Sequence, residues 1–188
     1  MEGASDYLTG KFLVAMANMP DPRFMKALIL ICGHDENGAM GLVINRSLLS
    51  LTFNDLLDNL KIKSEQDFAD IKLYFGGPVE VGRGFVIHSN DYHHESTVRI
   101  NDNVSLTATA DILRAIVDGK GPRKMLLALG YSGWGAAQLD KEIVANGWIV
   151  TDFSEDVLFS VHIDEKWDRA LALAGINADM ISLEGGSA

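Results

Sequence analysis

Three groups of residues in this 188-residue chain have the types and spacing to do chemistry. The first is Gly130-Tyr131-Ser132-Gly133-Trp134-Gly135, which follows the apolar run Met125 to Leu129. Ser132 invites reading as a nucleophile on a strand-to-helix turn. The elbow pattern G-x-S-x-G, however, needs glycine where Trp134 stands, and a general-base histidine following the serine could only be His162. Catalysis by Ser132 is therefore not expected. The same glycines could instead expose backbone N–H groups between Gly133 and Ala136, at the start of a helix, where an anion or polar ligand would sit. Neither familiar phosphate pattern fits, because the third glycine of G-x-G-x-x-G falls on Gln138. The plain structural alternative is that the glycines let a helix pack closely on a strand.

The second group is histidine: His34, His88, His93 and His94. Zinc needs three or four ligands at suitable spacing, and adjacent His93 and His94 would point to opposite sides of an extended chain. They read as an exposed loop pair, and no metal is expected. His88 ends an apolar strand near Arg83 and Gly84, so it either lines a pocket or terminates the sheet with its ring hydrogen-bonded. The third group is polar. Gln138 and Glu142 lie one helical turn apart, and could join Asn45, Arg46 and Arg83 if one half of the chain folds over the other. The candidate ligand-binding set is thus Asn45, Arg46, Arg83, His88, Tyr131, Gly133, Trp134, Gly135, Gln138 and Glu142, with no catalytic residue and no cofactor assigned.

The elements that must position these residues follow from patterning. Met125 to Leu129, the glycine turn, an amphipathic helix over Ala136 to Asn146 and a strand from Trp148 to Thr151 spell a βαβ unit spanning 125–151. Upstream, Lys11 to Ala17 reads as a strand, broken by Asn18 to Pro22. Strands Phe24 to Cys32 and Ala39 to Asn45 flank the Asn37-Gly38 hairpin signal. Thr52 caps a helix through Leu60, with Asp55 forming an imperfect capping box. Strands follow at Ile71 to Phe75 and Gly84 to His88, and Gly82-Arg83-Gly84 between them allows close backbone approach. Thr97 to Ile100 and Val104 to Leu106 form a hairpin, and a helix after Thr107 or Thr109 carries Ile112, Leu113, Ile116 and Val117. Asp156 to Val161 reads as a strand, Asp164 caps a helix facing Trp167, Leu171 and Ala174 inward, and the tail from Gly185 is loose. The fold class expected is α/β grading to α+β, a mixed parallel and antiparallel sheet flanked by helices. It forms one domain over 1–188, with a possible subdivision near 89–107.

Composition sets outer bounds. With 26 acidic against 16 basic residues the net charge is −10, which repels nucleic acid and anionic membranes at long range. Lys120, Arg123 and Lys124 form the one compact basic cluster, unaccompanied by any nucleic-acid-binding motif, so direct DNA binding is disfavoured. The single cysteine, Cys32, follows an apolar run and is expected as a buried thiol. The start MEGASDYLTGK lacks a charged-then-apolar leader and no membrane-spanning stretch occurs, so the protein is expected in the cytoplasm.

Three blocks carry a family likeness: Gly38-Ala39-Met40-Gly41-Leu42-Val43-Ile44-Asn45-Arg46; Gly76-Gly77-Pro78-Val79 with Arg83-Gly84-Phe85-Val86 and His88; and Leu129-Gly130-Tyr131 with Gly133-Trp134-Gly135 and Gln138-Leu139. They resemble, in family order, the YqgE/AlgH family of bacterial proteins, over about Gly10 to the C-terminus. The resemblance implies a cytoplasmic α/β protein with no dedicated cofactor, in a largely uncharacterised family whose AlgH-like members are described as transcriptional regulators of exopolysaccharide production. Ser132 stands where the family usually has alanine, and Ser187-Ala188 replaces a histidine-alanine ending. The resulting expectation is a non-catalytic regulatory protein that binds a protein partner or a small polar ligand at the glycine-lined groove. The competing expectations are a hydrolase using Arg83, His88 and Glu142 with backbone donors from the Gly133 turn, and a direct DNA-binding regulator.

Overall fold

The computed structural model describes residues 7–17 and 19–177. Asn18 and the tail read as loose, with Ser187-Ala188, lie outside the described residues. Strands β1 (Phe12–Ala15), β2 (Leu28–Asp35), β3 (Gly38–Val43), β4 (Leu73–Phe75), β5 (Val79–Ser89), β6 (Val98–Arg99), β7 (Val104–Thr107), β8 (Met125–Gly135) and β9 (Trp148–Thr151) form one sheet in the order β6-β7-β5-β8-β3-β2-β1-β9, with β4 beside β8. Helices are α1 (Phe53–Asn59), α2 (Ala110–Val117), α3 (Gln138–Val144), α4 (Glu155–Phe159) and α5 (Lys166–Leu173). Ser89 pairs with Val104 across the 89–107 segment, so the sheet is continuous through it.

Alternation along the strands decides what the sheet covers. Phe12, Val14, Leu28, Leu30, Ile87 and Leu126 face one core, closed by α4 and α5 through Leu158, Trp167 and Leu171. Leu13, Ile29, Ile31 and Val43 face the opposite side, where α3 contributes Leu139. Further along that side, Val86, Leu127 and Leu129 meet Phe53 and Leu57 of α1 and Ile112, Leu113 and Ile116 of α2. A sheet apolar on both faces needs near-continuous hydrophobic strands, which is why β1 and β2 read as unbroken apolar runs.

The glycines earlier assigned to a turn have a different task. β4 runs parallel to β8 and β5 antiparallel to it, through pairings such as Phe75 with Leu129 and Gly84 with Leu129. The chain between them, Gly76-Gly77-Pro78, must therefore pass over β8, which continues to Gly135. A Cβ at Gly77 would lie 2.2 Å from the Tyr131 carbonyl, and one at Gly130 would lie 2.3 Å from the Gly77 oxygen. Two backbones touch here, with no room for any side chain. Gly130 sits at φ +75, and the β5 to β8 register slips between Val79 and Gly84. The irregularity exchanges the faces of the strand. Leu126 and Ala128 face the α4/α5 core before it, whereas Tyr131 packs on that core after it and Trp134 turns to the other.

The class is α+β. The expected mixed sheet is corrected: each pairing along the path is antiparallel, and β4 against β8 is the one parallel pairing among the described strands. The βαβ unit is corrected too, because β3, β2 and β1 separate β8 from β9. β8 does not stop at Leu129; its extension pairs with β3, Trp134 opposite Ala39 and Ser132 opposite Gly41. Asp156 to Val161 is not a strand but largely helix α4, because Ser154 accepts the Val157 N–H at 3.2 Å and caps it. A Cβ at Gly82 would meet nothing within 4 Å, so the close approach lies at Gly77 and Gly130 instead. The Thr52–Asp55 capping box forms in both directions, at 3.1 and 3.0 Å.

Candidate functional site

The β8 extension, the β2–β3 hairpin, the bulged start of β5 and the end of β7 enclose an open cleft of ≈ 920 Å³. Its size suits a small-molecule site. Met40, Phe85, Leu106 and Tyr131 supply an apolar wall continuous with the core, and exposed Val79 and Val98 stand at the rim. Phe85 and Tyr131 meet edge to face, 5.8 Å between ring centroids. Arg83 extends across Phe85, its guanidinium 5.2 Å from the ring centroid, and touches Glu80 at 3.5 Å. That ion pair is half-exposed and loose, so the guanidinium is free to exchange Glu80 for a ligand.

On the other side of Gly133 and Trp134 lies a second hollow of ≈ 480 Å³, walled by Phe24, Pro78, Gln138 and Glu142. Glu142 organises it. One carboxylate oxygen accepts the indole N–H of Trp134 at 3.3 Å and of Trp148 at 3.2 Å, and the other accepts Gln138 Nε2 at 3.0 Å. The rings themselves stand edge to face at 6.0 Å. Glu142→Ala leaves two indole donors without their acceptor and is expected to cost about 2–4 kcal/mol. Urea unfolding followed by tryptophan fluorescence measures this; an unchanged midpoint would show that the indoles find water instead.

The ten expected site residues divide. Arg83, Tyr131, Gly133 and Trp134 share the larger cleft, and Gln138 and Glu142 share the smaller hollow with Gly133 and Trp134. Gly135 contributes a backbone contact, its N–H donating to Gln138 Oε1 at 2.9 Å. This, with the pairing of β8 on β3, corrects the expected cradle of free amides at Gly133 to Ala136. Asn45 is turned to the backbone instead: Oδ1 accepts the Leu28 N–H at 2.9 Å and Nδ2 donates to the Lys26 carbonyl at 2.8 Å. Arg46 likewise donates to the carbonyls of Met25, at 2.7 Å, and Arg23. Both pin the proline-bearing loop.

His88 is fully buried, with Nε2 2.7 Å from Thr107 Oγ1 and Nδ1 2.8 Å from the Ser89 carbonyl. Its place is inside the sheet, away from either hollow. Burial holds its pKa below the ordinary 6.5, against the raising effect of the Ser89 carbonyl and Asp91. The unfolded chain therefore binds a proton that the folded chain resists. Stability present above pH 6.5 is expected to fall as pH drops below it, and His88→Asn should flatten that part of the stability–pH curve.

Ser132 is fully buried and donates to the Gly76 carbonyl at 3.2 Å, holding the crossing segment rather than facing solvent. His34 Nδ1 accepts the Leu8 N–H at 3.1 Å. Lys124 pairs with Glu155 at 3.0 Å and Arg123 faces Asp91 at 4.0 Å, which neutralises much of the basic cluster. Cys32 is buried, and burial pushes its thiol up to about 12. Among the described residues no three His, Cys, Asp or Glu side chains are grouped to hold a metal, and no helix is long and apolar enough to cross a membrane. His93 is exposed, but His94 is half-buried, its Nδ1 2.8 Å from Ser96 Oγ. Sequence reasoning missed that pair: H-x-S spacing is common, and Asp111, 3.6 Å from His94 Nε2, comes from α2.

Comparison with known proteins places the chain. A family model described as AlgH-like matches residues 12–179. The chain belongs to the AlgH-like family. It is 44% identical to a UPF0301 protein of Rhodospirillum rubrum, over 97% of this chain and 95% of that one. A UPF0301 protein of Mesorhizobium japonicum is 48% identical, over 97% and 93%. The solution structure of the AlgH protein from Pseudomonas aeruginosa superposes with a TM-score of 0.80 at 35% identity, covering 100% of both chains. A Corynebacterium diphtheriae crystal structure shares the fold, with a TM-score of 0.70 at 20% identity over 91% and 88% of the two chains. The blocks that carry the likeness include the crossing glycines and the β8 extension, so the resemblance inferred from sequence rests on the residues that build this AlgH-like protein's two hollows.

Proposed function

We propose that this AlgH-like protein acts by binding, as a regulatory protein that takes a small amphipathic ligand in the larger cleft. The supporting observation is the convergence there of an apolar wall, Met40, Leu106 and Tyr131, with a single loosely paired cation, Arg83. Such a site suits a molecule with an apolar body and one anionic head. Trp134 lines both hollows and stands edge to face with Trp148, so occupancy would be felt in the second hollow as well.

Titration with octanoate, followed by tryptophan fluorescence, tests this. Saturable quenching is expected, weakened at least about tenfold by Arg83→Ala, since a hydrogen bond to a charged group contributes about 1.5–3 kcal/mol. Absence of saturable binding, or equal affinity in the variant, would contradict the assignment of Arg83 to the anionic head.

A further inference from the structure

Ser96 lines that cleft, and beyond it His94 and then Asp111 complete the order nucleophile, base and orienting carboxylate. Ser96 Oγ lies 2.8 Å from His94 Nδ1 and 3.1 Å from Thr109 Oγ1. His94 Nε2 faces Asp111 Oδ2 at 3.6 Å. The tautomer follows from a third contact: the Ser96 backbone N–H also points at Nδ1, at 3.2 Å, and an amide can only donate. Nδ1 therefore carries the lone pair and Nε2 the proton, 3.6 Å from the Asp111 carboxylate. This is the protonation state a general base needs. Thr109, which touches Ser96, is also the N-cap residue of α2, yet its side chain makes no capping bond. That side chain is turned to Ser96 instead, and the Ile112 N–H donates to the Thr109 carbonyl at 3.4 Å.

A local turn would account for the amide and imidazole of neighbouring residues meeting. It would not account for Asp111, delivered by another element to the far nitrogen, or for Ser96 lining the cleft. We infer that Ser96 is a nucleophile for acyl transfer, hydrolysing carboxylic esters whose apolar acyl chain lies along Val98, Leu106 and Ala108. The inference rests on the same cleft as the binding reading.

In the first step Ser96 Oγ bonds to the ester carbonyl carbon while its proton passes to His94 Nδ1. The carbonyl electron pair moves to oxygen. On collapse the carbon–alkoxy bond breaks and the departing alcohol takes the proton from His94. Water then adds to the acyl-enzyme, giving a proton to Nδ1, and the Oγ–carbon bond breaks as Oγ recovers that proton. The carboxylate product has the chemistry of the ligand assigned to Arg83. Asp111 touches no reacting atom and is a positioning residue.

The test is covalent capture by a fluorophosphonate, read by peptide mass spectrometry, with p-nitrophenyl butyrate hydrolysis alongside. Label is expected on Ser96. His94→Gln should slow labelling at least about 100-fold, and Asp111→Asn should lower kcat for p-nitrophenyl butyrate with KM little changed, with part of the loss restored by Asp111→Glu. Circular dichroism establishes that each variant is folded, and Ser96→Cys, if Ser96→Ala is not, should gain an iodoacetamide-reactive thiol dependent on His94. No label on Ser96 where a control hydrolase is labelled, or label independent of His94, overturns the inference. Octanoate binding without labelling removes the catalysis and keeps the cleft; loss of both removes the cleft.

Discussion

Gly77→Ala is expected to cost about 3 kcal/mol or more and to lower the urea midpoint of unfolding sharply. The added Cβ would sit 2.2 Å from both the carbonyl carbon and oxygen of Tyr131 and 2.5 Å from the Ser132 nitrogen, at a φ of +155. All three atoms are backbone, so no side chain can rotate away. Overpacking contributes about 1–3 kcal/mol and a strained backbone region about as much again. Gly130→Ala meets the same crossing from the other strand, 2.3 Å from the Gly77 oxygen at φ +75, and should behave alike. Gly33→Ala is the control: nothing lies within 4 Å of its Cβ, and a change below about 1 kcal/mol is expected. The crossing also sets function, because relieving it by a one-residue slip of β8 would turn Tyr131 and Trp134 to the wrong faces. Equal stability of the Gly77 and Gly33 variants would mean that the two backbones do not touch.

The second large effect is electrostatic. Lys166 is 2% exposed, its ammonium donating to the carbonyls of Ile44 at 3.1 Å and Leu158 at 2.8 Å, and standing 5.1 Å from the Tyr74 ring centroid. Burial pulls its pKa from the ordinary 10.5 down to about 8. Between those values the unfolded chain still binds a proton that the folded chain has released, so stability rises with pH across that window. A depression from 10.5 to about 8 corresponds to about 3 kcal/mol in total. Chemical denaturation of wild type and Lys166→Met at pH 7, 8, 9 and 10 isolates it, since other titrating groups cancel in the difference. The difference should grow in favour of wild type as pH rises, by up to about 3 kcal/mol; a flat difference would place the ammonium in water.

What could be read beforehand was local. Thr52 and Asp55 signal their capping box within four positions, and Asn37-Gly38 signals a hairpin that the Asp35 and Gly38 pairing realises. The β8 extension could not be read that way. Gly130 to Gly135 carries the composition of a turn, and only the passage of Gly76-Gly77-Pro78 over it, from strands far away in sequence, explains glycine inside a strand. The same gap separated the candidate residues from the hollows they line. Arg83 and Trp134 were identified without the cleft that joins Arg83 to Tyr131, whereas Asn45, Arg46 and His88 were chosen as polar and adjacent to strands, and each proved occupied by backbone or threonine partners. α4 shows a further limit: a short apolar run has no period of its own, and its capping serine decides.

The cleft beside the β8 extension is where this protein is proposed to meet its ligand. Amide chemical-shift mapping during an octanoate titration addresses that directly. Saturable shifts are expected to cluster at Ala39, Arg83, Tyr131, Gly133 and Trp134, with smaller changes at Gln138 and Glu142. Shifts confined to residues outside that cleft, or none at any concentration, would contradict it.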